Sequence, residues 1–337
     1  MATLERGGEE RNLPGDLDEL RAEIELLTER NLSSRDADTE RRLLALEHLA
    51  GIALAEAAPA EPDFADADGD RLPAGDPLPD VAASDLTPGL IRAGILRDGC
   101  LLVRGLVDRG RAVEMAKEID RAFAVRERHD SGRGTKKGYY EEFQPQAGSG
   151  EPVVRGWIKQ GGGLLAADAP RLHFEMLQMF AAANLPQIVS GYLGEPALIS
   201  VHKTTLRKAD PSVPGAWHQD GFFMGAVRSL NLWLSLSRCG DEAPGLDLLP
   251  RRLDHYVATA TEEAVLDYTI SQRRVDETAA GTPIIRPIFE PGDAIFFDEL
   301  FLHQTGSDPA MSKPRYAIEN WFFGGSVFPA EYAPVAI

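Results

Sequence analysis

The chain has 337 residues, 43% of them apolar, which is material for one large domain or two modest ones. Thirty-five Lys and Arg stand against 53 Asp and Glu, and the net charge of −18 disfavours nucleic acid and anionic lipid as partners. No run of 18 apolar residues offers a membrane span, and two cysteines in unlike surroundings, Cys100 and Cys239, make no disulfide framework, so a cytoplasmic protein is expected.

Met1 to Glu10 is charged and has no apolar core, so it is not read as a secretory signal. Residues 16–57 read as two helices. Leu17, Leu20, Ile24 and Leu27 recur at helical spacing in the first, and Leu43, Leu44, Leu46, Leu49 and Ile52 in the second. A turn at Asn31-Leu32-Ser33-Ser34 separates them. This N-terminal helical arm, residues 1–60, has apolar stripes suited to packing on the core or on a second copy, and a homodimer fits that reading. Residues 61–80 are rich in Pro, Ala, Asp and Gly and read as a linker.

The main domain is expected over 81–337. Thr87 and Pro88 open a helix that stops at Gly99. A strand at Cys100–Val103 and a helix at 111–128 follow. Ser131 to Gly163 lacks periodicity, mixes Tyr139, Tyr140, Phe143 and Trp157 with Arg133, Lys136, Lys137, Arg155 and Lys159, and has the length of a lid or binding loop. Residues 170–193 return to helix. Beyond Glu195 the pattern changes to strands, at Ala197–Lys208, Ser229–Ser237, Ile284–Phe289, Ala294–Phe301 and Arg315–Phe323. Helices first and short strands afterwards predict an α+β fold, with a jelly-roll core (a double-stranded β-helix, cupin-like) flanked by helices.

The run Trp217-His218-Gln219-Asp220-Gly221 follows a Pro-containing loop. In extended backbone residues i and i+2 point the same way, so His218 and Asp220 can reach one metal ion. His303, expected to close the strand Ala294–Leu302, supplies a second imidazole. Two imidazoles and one carboxylate are the facial triad of non-haem iron(II) oxygenases, which leaves one face open for a chelating cosubstrate and O2.

A His-x-Asp pair alone recurs by chance. Three features add to it. Arg315, twelve residues after His303, carries a planar charged fork that suits a distal carboxylate such as that of 2-oxoglutarate. Thr305 could support the same carboxylate. The strand Ser229–Ser237 sets its leucines on one face and Asn231, Trp233 and Ser235 on the other, and a polar interior face is costly unless it serves a wet pocket.

From about Leu86 to Phe323 the chain resembles the phytanoyl-CoA dioxygenase family of iron(II)/2-oxoglutarate oxygenases. Leu96–Val107 is similar to the family's opening helix and strand, Gly292–Asp298 to its late strand, and Arg315–Ile318 sits where the family places its 2-oxoglutarate arginine. The resemblance implies His218, Asp220 and His303 as metal ligands, with Arg315 and Thr305 as the carboxylate clamp. It implies Trp233 beside the cosubstrate, and Thr205 and Lys203 touching cosubstrate or substrate. It also implies Fe(II), 2-oxoglutarate and O2 as the reactive set, release of succinate and CO2, and hydroxylation of a C–H bond. An intact Asp220 argues against halogenation. The segment Ala243–Pro250 departs from the family pattern, because the family's Gly-Ser-His turn is absent.

A small-molecule substrate is expected, in the range of natural-product or amino-acid-derived intermediates. The competing readings are a jelly-roll binding protein and a zinc hydrolase using the same three ligands. His173 is expected in packing, and His202 and His255 stay open. Glu319, on the face of Arg315, is expected to pair with Arg315 or with a substrate amine.

Overall fold

Each N-terminal helix starts at an aspartate that caps it. Asp16 accepts from the Asp18 amide at 2.8 Å at the head of α1 (Leu17–Ser33), and Asp36 from the Thr39 amide at 2.8 Å at the head of α2 (Ala37–Glu56). The structure is a computed structural model and describes residues 16–74, 78–134, 136–212, 215–225, 227–261, 264 and 266–337. The charged stretch Met1–Glu10 lies outside the described residues.

The elements continue with β1 (Asp80–Ala82), α3 (Pro88–Asp98), β2 (Cys100–Arg104) and α4 (Arg109–Asp130). Next come α5 (Gly156–Gln160), β3 (Gly163–Leu165), α6 (Pro170–Ala182), α7 (Leu185–Leu193), β4 (Ala197–Ser200) and β5 (Thr205–Ala209). The C-terminal part holds β6 (Leu230–Ser235), β7 (Gly245–Leu248), α8 (Gln272–Ala279), β8 (Ala294–Asp298), β9 (His303–Gly306), β10 (Arg315–Gly324) and β11 (Pro334–Ala336). Among the described residues no helix is long and apolar enough to cross a membrane.

The fold mixes these helices with one large sheet in the order β1-β2-β8-β6-β10-β4-β11, to which β5 adds along β10 and β3 along β5. A smaller antiparallel pair, β7 and β9, lies apart from it. One face of the large sheet carries Leu101, Leu206, Leu232, Leu234, Phe296, Ile318 and Phe322 into a core shared with α3, α4, α6 and α7. The other face carries Leu102, Ile295, Phe297, Trp233 and Ala317 towards β7. Strand register fixes this split. Trp233 stands opposite Ile295 on one neighbour and Glu319 on the other, so all three leave the sheet together.

Helix α2 docks on the C-terminal strand. The His48 ring bonds the Pro334 carbonyl at 2.6 Å and accepts from the Gln146 amide at 3.0 Å. A Cβ at Gly51 would stand 2.8 Å from the backbone of Pro334, so only glycine permits this approach. Glu47 of the same helix meets His173 at 3.1 Å, which puts that histidine in packing. Residues 61–74 run along α3 and α7. The Asp63 amide donates to Gly194 at 2.9 Å and the Asp68 amide to Gly89 at 3.0 Å, while Phe64 lies between Arg92 and Arg228.

The segment 131–163 is pinned at its middle by a buried ion pair. Asp168 receives Arg155 through two hydrogen bonds, at 2.7 and 2.8 Å, and the Phe143 amide at 2.8 Å. Asp168→Ala is therefore expected to lower unfolding free energy by about 3–5 kcal/mol, since it strands the guanidinium in low dielectric. Denaturant unfolding reads this, and a loss under about 1 kcal/mol, the scale of an exposed pair, would be inconsistent with it.

Several expected boundaries shift. The run Ala197–Lys208 breaks into β4 and β5, because the chain turns at Val201–Thr204, where the Thr204 amide bonds back to Ser200 at 3.1 Å. The expected helix over 170–193 divides into α6 and α7 at Asn184, whose φ of 55° leaves the helical region. Ile284–Phe289 forms only isolated bridges at Ile285 and Phe289, with Pro287 between them unable to donate. His303 does not close the strand of residues 294–302. The chain turns after Asp298, with Phe301 N bonding back to it at 3.2 Å, and His303 opens β9.

Candidate metal centre

His218 and His303 are brought together by the backbone. His218 N donates to His303 O at 3.0 Å and His303 N to His218 O at 3.2 Å. The approach of the two chains is close: a Cβ at Gly215 would lie 1.8 Å from the Thr305 carbonyl oxygen. Gln219, between the two motif residues, is buried and staples the motif to its surroundings. Its amide nitrogen donates to Leu300 O at 2.6 Å and His255 O at 3.1 Å, and its oxygen accepts from Val257 N at 2.7 Å.

One ligand atom each from His218, Asp220 and His303 lies within 4.8 Å of the others, the spacing of a shared metal ion. Both rings are aimed the same way. His218 Nδ1 bonds the Ala216 carbonyl at 2.7 Å and His303 Nδ1 the Phe301 carbonyl at 3.1 Å, which leaves both Nε2 atoms facing the carboxylate. Asp220 is held from behind as well. Its Oδ2 accepts from Asn231 Nδ2 at 2.8 Å and Trp321 Nε1 at 2.7 Å, so Oδ1 turns to the imidazoles.

The electrostatics favour a cation. Burial pushes the Asp220 carboxyl up, but the His218 hydrogen bond, the nearby His303 and the Trp321 indole bring it down to about 2. Burial and then His218 push His303 down to about 4, so its ring is neutral and free to ligate near neutral pH. Burial also lowers His218, but the Asp220 carboxylate outweighs it and leaves that ring above its ordinary value.

Arg315 lies further along the same face. It is 1% exposed, donates through Nη1 to the Gly245 carbonyl at 2.8 Å, and its guanidinium carbon sits 5.3 Å from the Trp233 ring centroid. Arg315 Nε and Trp233 Nε1 are both buried without a hydrogen-bond partner among the described residues. Each of these unfilled donors is available to an acceptor on a bound ligand. Glu319 is shared between two arginines. Arg207 takes its carboxylate at 2.6 to 3.1 Å, while Arg315 Nη2 stays 3.6 Å away, so the expected Glu319–Arg315 pairing is the weaker of two.

Thr305 follows His303 on β9 and leaves that strand on the same side. Thr205 is buried opposite Glu319. Lys203 points to the other end of the face, among aromatic rings. His202 is structural: its Nε2 donates to Glu151 O at 2.9 Å, its Nδ1 accepts from Ala333 N at 3.1 Å, and its ring stacks on Tyr332. The side chain of His255 meets Asp254 at the surface.

The sequence reading passed over Trp321, Arg207 and Phe223, and it took Asn231 only as part of a polar face. The signal for Trp321 was present, since Arg315, Ala317, Glu319 and Trp321 alternate along one face of β10. Replacing Trp321 by Phe or Asn231 by Leu is expected to weaken divalent-metal binding by about 10–100-fold, because each removes a donor that orients Asp220. Metal titration checks this, and unchanged affinity in both variants would contradict it.

The sequence matches no protein-family model and no curated protein. Solved structures are similar in fold. EctD from S. alaskensis, crystallised with 2-oxoglutarate and 5-hydroxyectoine, aligns at TM-score 0.50 with 16% identity over 80% of this chain and 86% of its own. The epimerase SnoN, crystallised with Fe3+, alpha ketoglutarate and nogalamycin RO, aligns at 0.47 with 18% identity over 70% of this chain and 83% of its own. AviO1 from Streptomyces viridochromogenes Tue57 aligns at 0.44 with 18% identity, over 75% of this chain and 99% of its own. The likeness to EctD is one of fold.

Proposed function

We propose that the chain is an iron(II)- and 2-oxoglutarate-dependent oxygenase of the phytanoyl-CoA dioxygenase type, oxidising a C–H bond of a small molecule. On this reading the two sheets form a double-stranded β-helix, with β7 and β9 as the reduced second sheet. The observation that carries the proposal is the alignment of two half-sites on one sheet face. A His-Asp-His ligand set stands at one end, and a buried arginine with unfilled donors at the other.

The residues fit the groups they would hold. His218, Asp220 and His303 offer the mixed nitrogen and oxygen set that suits iron(II). Arg315 would hold the distal carboxylate of 2-oxoglutarate, with Thr305 supporting it, Trp233 walling the chain between and Thr205 lining the same face. Iron(II), 2-oxoglutarate and O2 together supply oxidative decarboxylation to succinate and CO2 and the power to oxidise an unactivated C–H bond. The protein contributes orientation and dryness. Phe297 and Phe301 pack against the His303 ring and Phe223 against that of His218, which shields the ligands from bulk water.

A zinc hydrolase would use the same three ligands, but it leaves the empty donors of Arg315 and Trp233 without a purpose. Anaerobic calorimetry separates the readings. 2-Oxoglutarate is expected to bind the iron(II)-loaded protein and to bind at least tenfold more weakly when the metal is removed. Binding that ignores the metal would contradict the proposal.

A further inference from the structure

The face that ends at Arg315 has an opposite end, and there stands Lys203. Its Nζ lies 4.7 Å from the ring centroid of Trp157, 5.2 Å from Trp321, 5.4 Å from Tyr332 and 5.5 Å from Phe223. Aromatic faces attract an ammonium but accept its N–H donors poorly. Among the described residues Nζ has neither an ion pair nor a hydrogen bond, and the charge that most affects it is Asp220. In a chain with so many carboxylates, Lys203 stands beside the candidate metal ligands with no carboxylate in ion-pair contact among the described residues. Desolvating a charge without a partner is costly, and the cost is recovered when a ligand brings one.

The cage is joined to the metal centre. Trp321 donates its indole N–H to Asp220 and lends a ring to Lys203. Phe223 packs on the His218 ring, and the Tyr332 hydroxyl donates to Phe223 O at 2.6 Å. Trp157, 41% exposed, and Phe222, 48% exposed, stand where solvent meets this end. Lys203 cannot serve the carboxylate that Arg315 would hold. Arg315 and Trp321 share one face of β10 six residues apart, which is roughly 20 Å of strand at about 3.3 Å per residue. A five-carbon cosubstrate fixed at the triad and at Arg315 points away from Lys203.

We infer that Lys203 is the anchor for an anionic group, a carboxylate, of the small-molecule substrate, which lies between the aromatic cage and the triad. The inference rests on the oxygenase reading for the direction in which substrate approaches. It makes Lys203 a specificity-determining residue. Arg315 would read the cosubstrate carboxylate, and Lys203 the substrate's, from opposite sides of the metal.

The test uses acid and amide pairs as probes: phenylacetate with phenylacetamide, hexanoate with hexanamide, and N-acetylleucine with its amide. Each is titrated calorimetrically into the anaerobic iron(II)- and 2-oxoglutarate-loaded protein, into Lys203→Met and into Lys203→Arg. The wild type is expected to bind the acid of at least one pair ten times more tightly than the amide. Lys203→Met should reduce that preference below threefold, and Lys203→Arg, which also reports on folding, should keep it. Equal binding of acid and amide in every pair, no binding of any acid, or a preference that survives in Lys203→Met would overturn the inference. So would a Lys203→Met variant that loses affinity for 2-oxoglutarate, which would place the lysine with the cosubstrate. Failure of the oxygenase reading shows separately, as absence of metal-dependent 2-oxoglutarate binding in the wild type, and the same acid–amide titrations into the protein without 2-oxoglutarate then decide the anchor.

Discussion

On the oxygenase reading, Asp220→Ala is expected to remove iron(II) binding at micromolar metal and to end turnover, with the fold intact. The carboxylate is 3% exposed and is the sole anionic member of the ligand set, so its loss leaves a divalent cation facing two neutral rings in a low-dielectric pocket. Breaking a buried charge pair costs about 3–5 kcal/mol, or roughly 10²–10⁴-fold in affinity. The variant also releases the Asn231 amide and Trp321 indole, which now donate to Oδ2. Asp220→Asn should restore shape but not affinity, because the charge is what binds. Metal content after dialysis, measured beside a thermal melt, separates ligand loss from unfolding. Full metal retention by Asp220→Ala would remove the residue from the ligand set.

Arg315→Leu is expected to act on the cosubstrate and not on the metal. A hydrogen bond to a charged group is worth about 1.5–3 kcal/mol, and a bidentate clamp makes two. The expected effect is a KM for 2-oxoglutarate raised by roughly 10²–10⁴-fold at unchanged iron(II) affinity. Arg315→Lys should recover only part of this, since an ammonium keeps the charge and loses the fork. Glu319 remains held by Arg207 in the variant, so the site does not simply turn anionic. A shift under threefold in KM would mean that the orphaned Arg315 donors have another acceptor.

The sequence carried the helices well where caps and periodicity agreed. Thr87 and Pro88 open α3 and Gly99 ends it with a φ of 83°, and apolar periodicity marks α1 and α2, whose caps Asp16 and Asp36 only the structure shows. It pointed to the residues that cluster at the candidate centre through residue type and alternation: His218 and Asp220 at i and i+2, and the two faces of β6. It did less well where tertiary contacts decide. No local signal in Ala197–Lys208 shows the turn that parts β4 from β5, and the β7 and β9 pair follows from distant segments meeting. The roles of Arg207 and Trp321 needed register. Arg207 leaves β5 beside Ala317 and Trp321 leaves β10 beside Asn231, pairings that a strand pattern alone does not supply. The grouping of His218, Asp220 and His303 was therefore legible, and the shell around it was not. For Lys203 the family resemblance implies contact with cosubstrate or substrate, but not its cage, which is assembled from α5, the residues after Asp220, β10 and the approach to β11.

The central claim is that His218, Asp220, His303 and Arg315 together run 2-oxoglutarate oxidation. The most direct measurement is succinate formed against 2-oxoglutarate consumed, with iron(II) and air, in the wild type and in Asp220→Ala. Equimolar succinate that requires iron(II) and disappears in Asp220→Ala is the predicted result. Persistent absence of succinate from iron-loaded, folded wild type, or equal formation by Asp220→Ala, would contradict it.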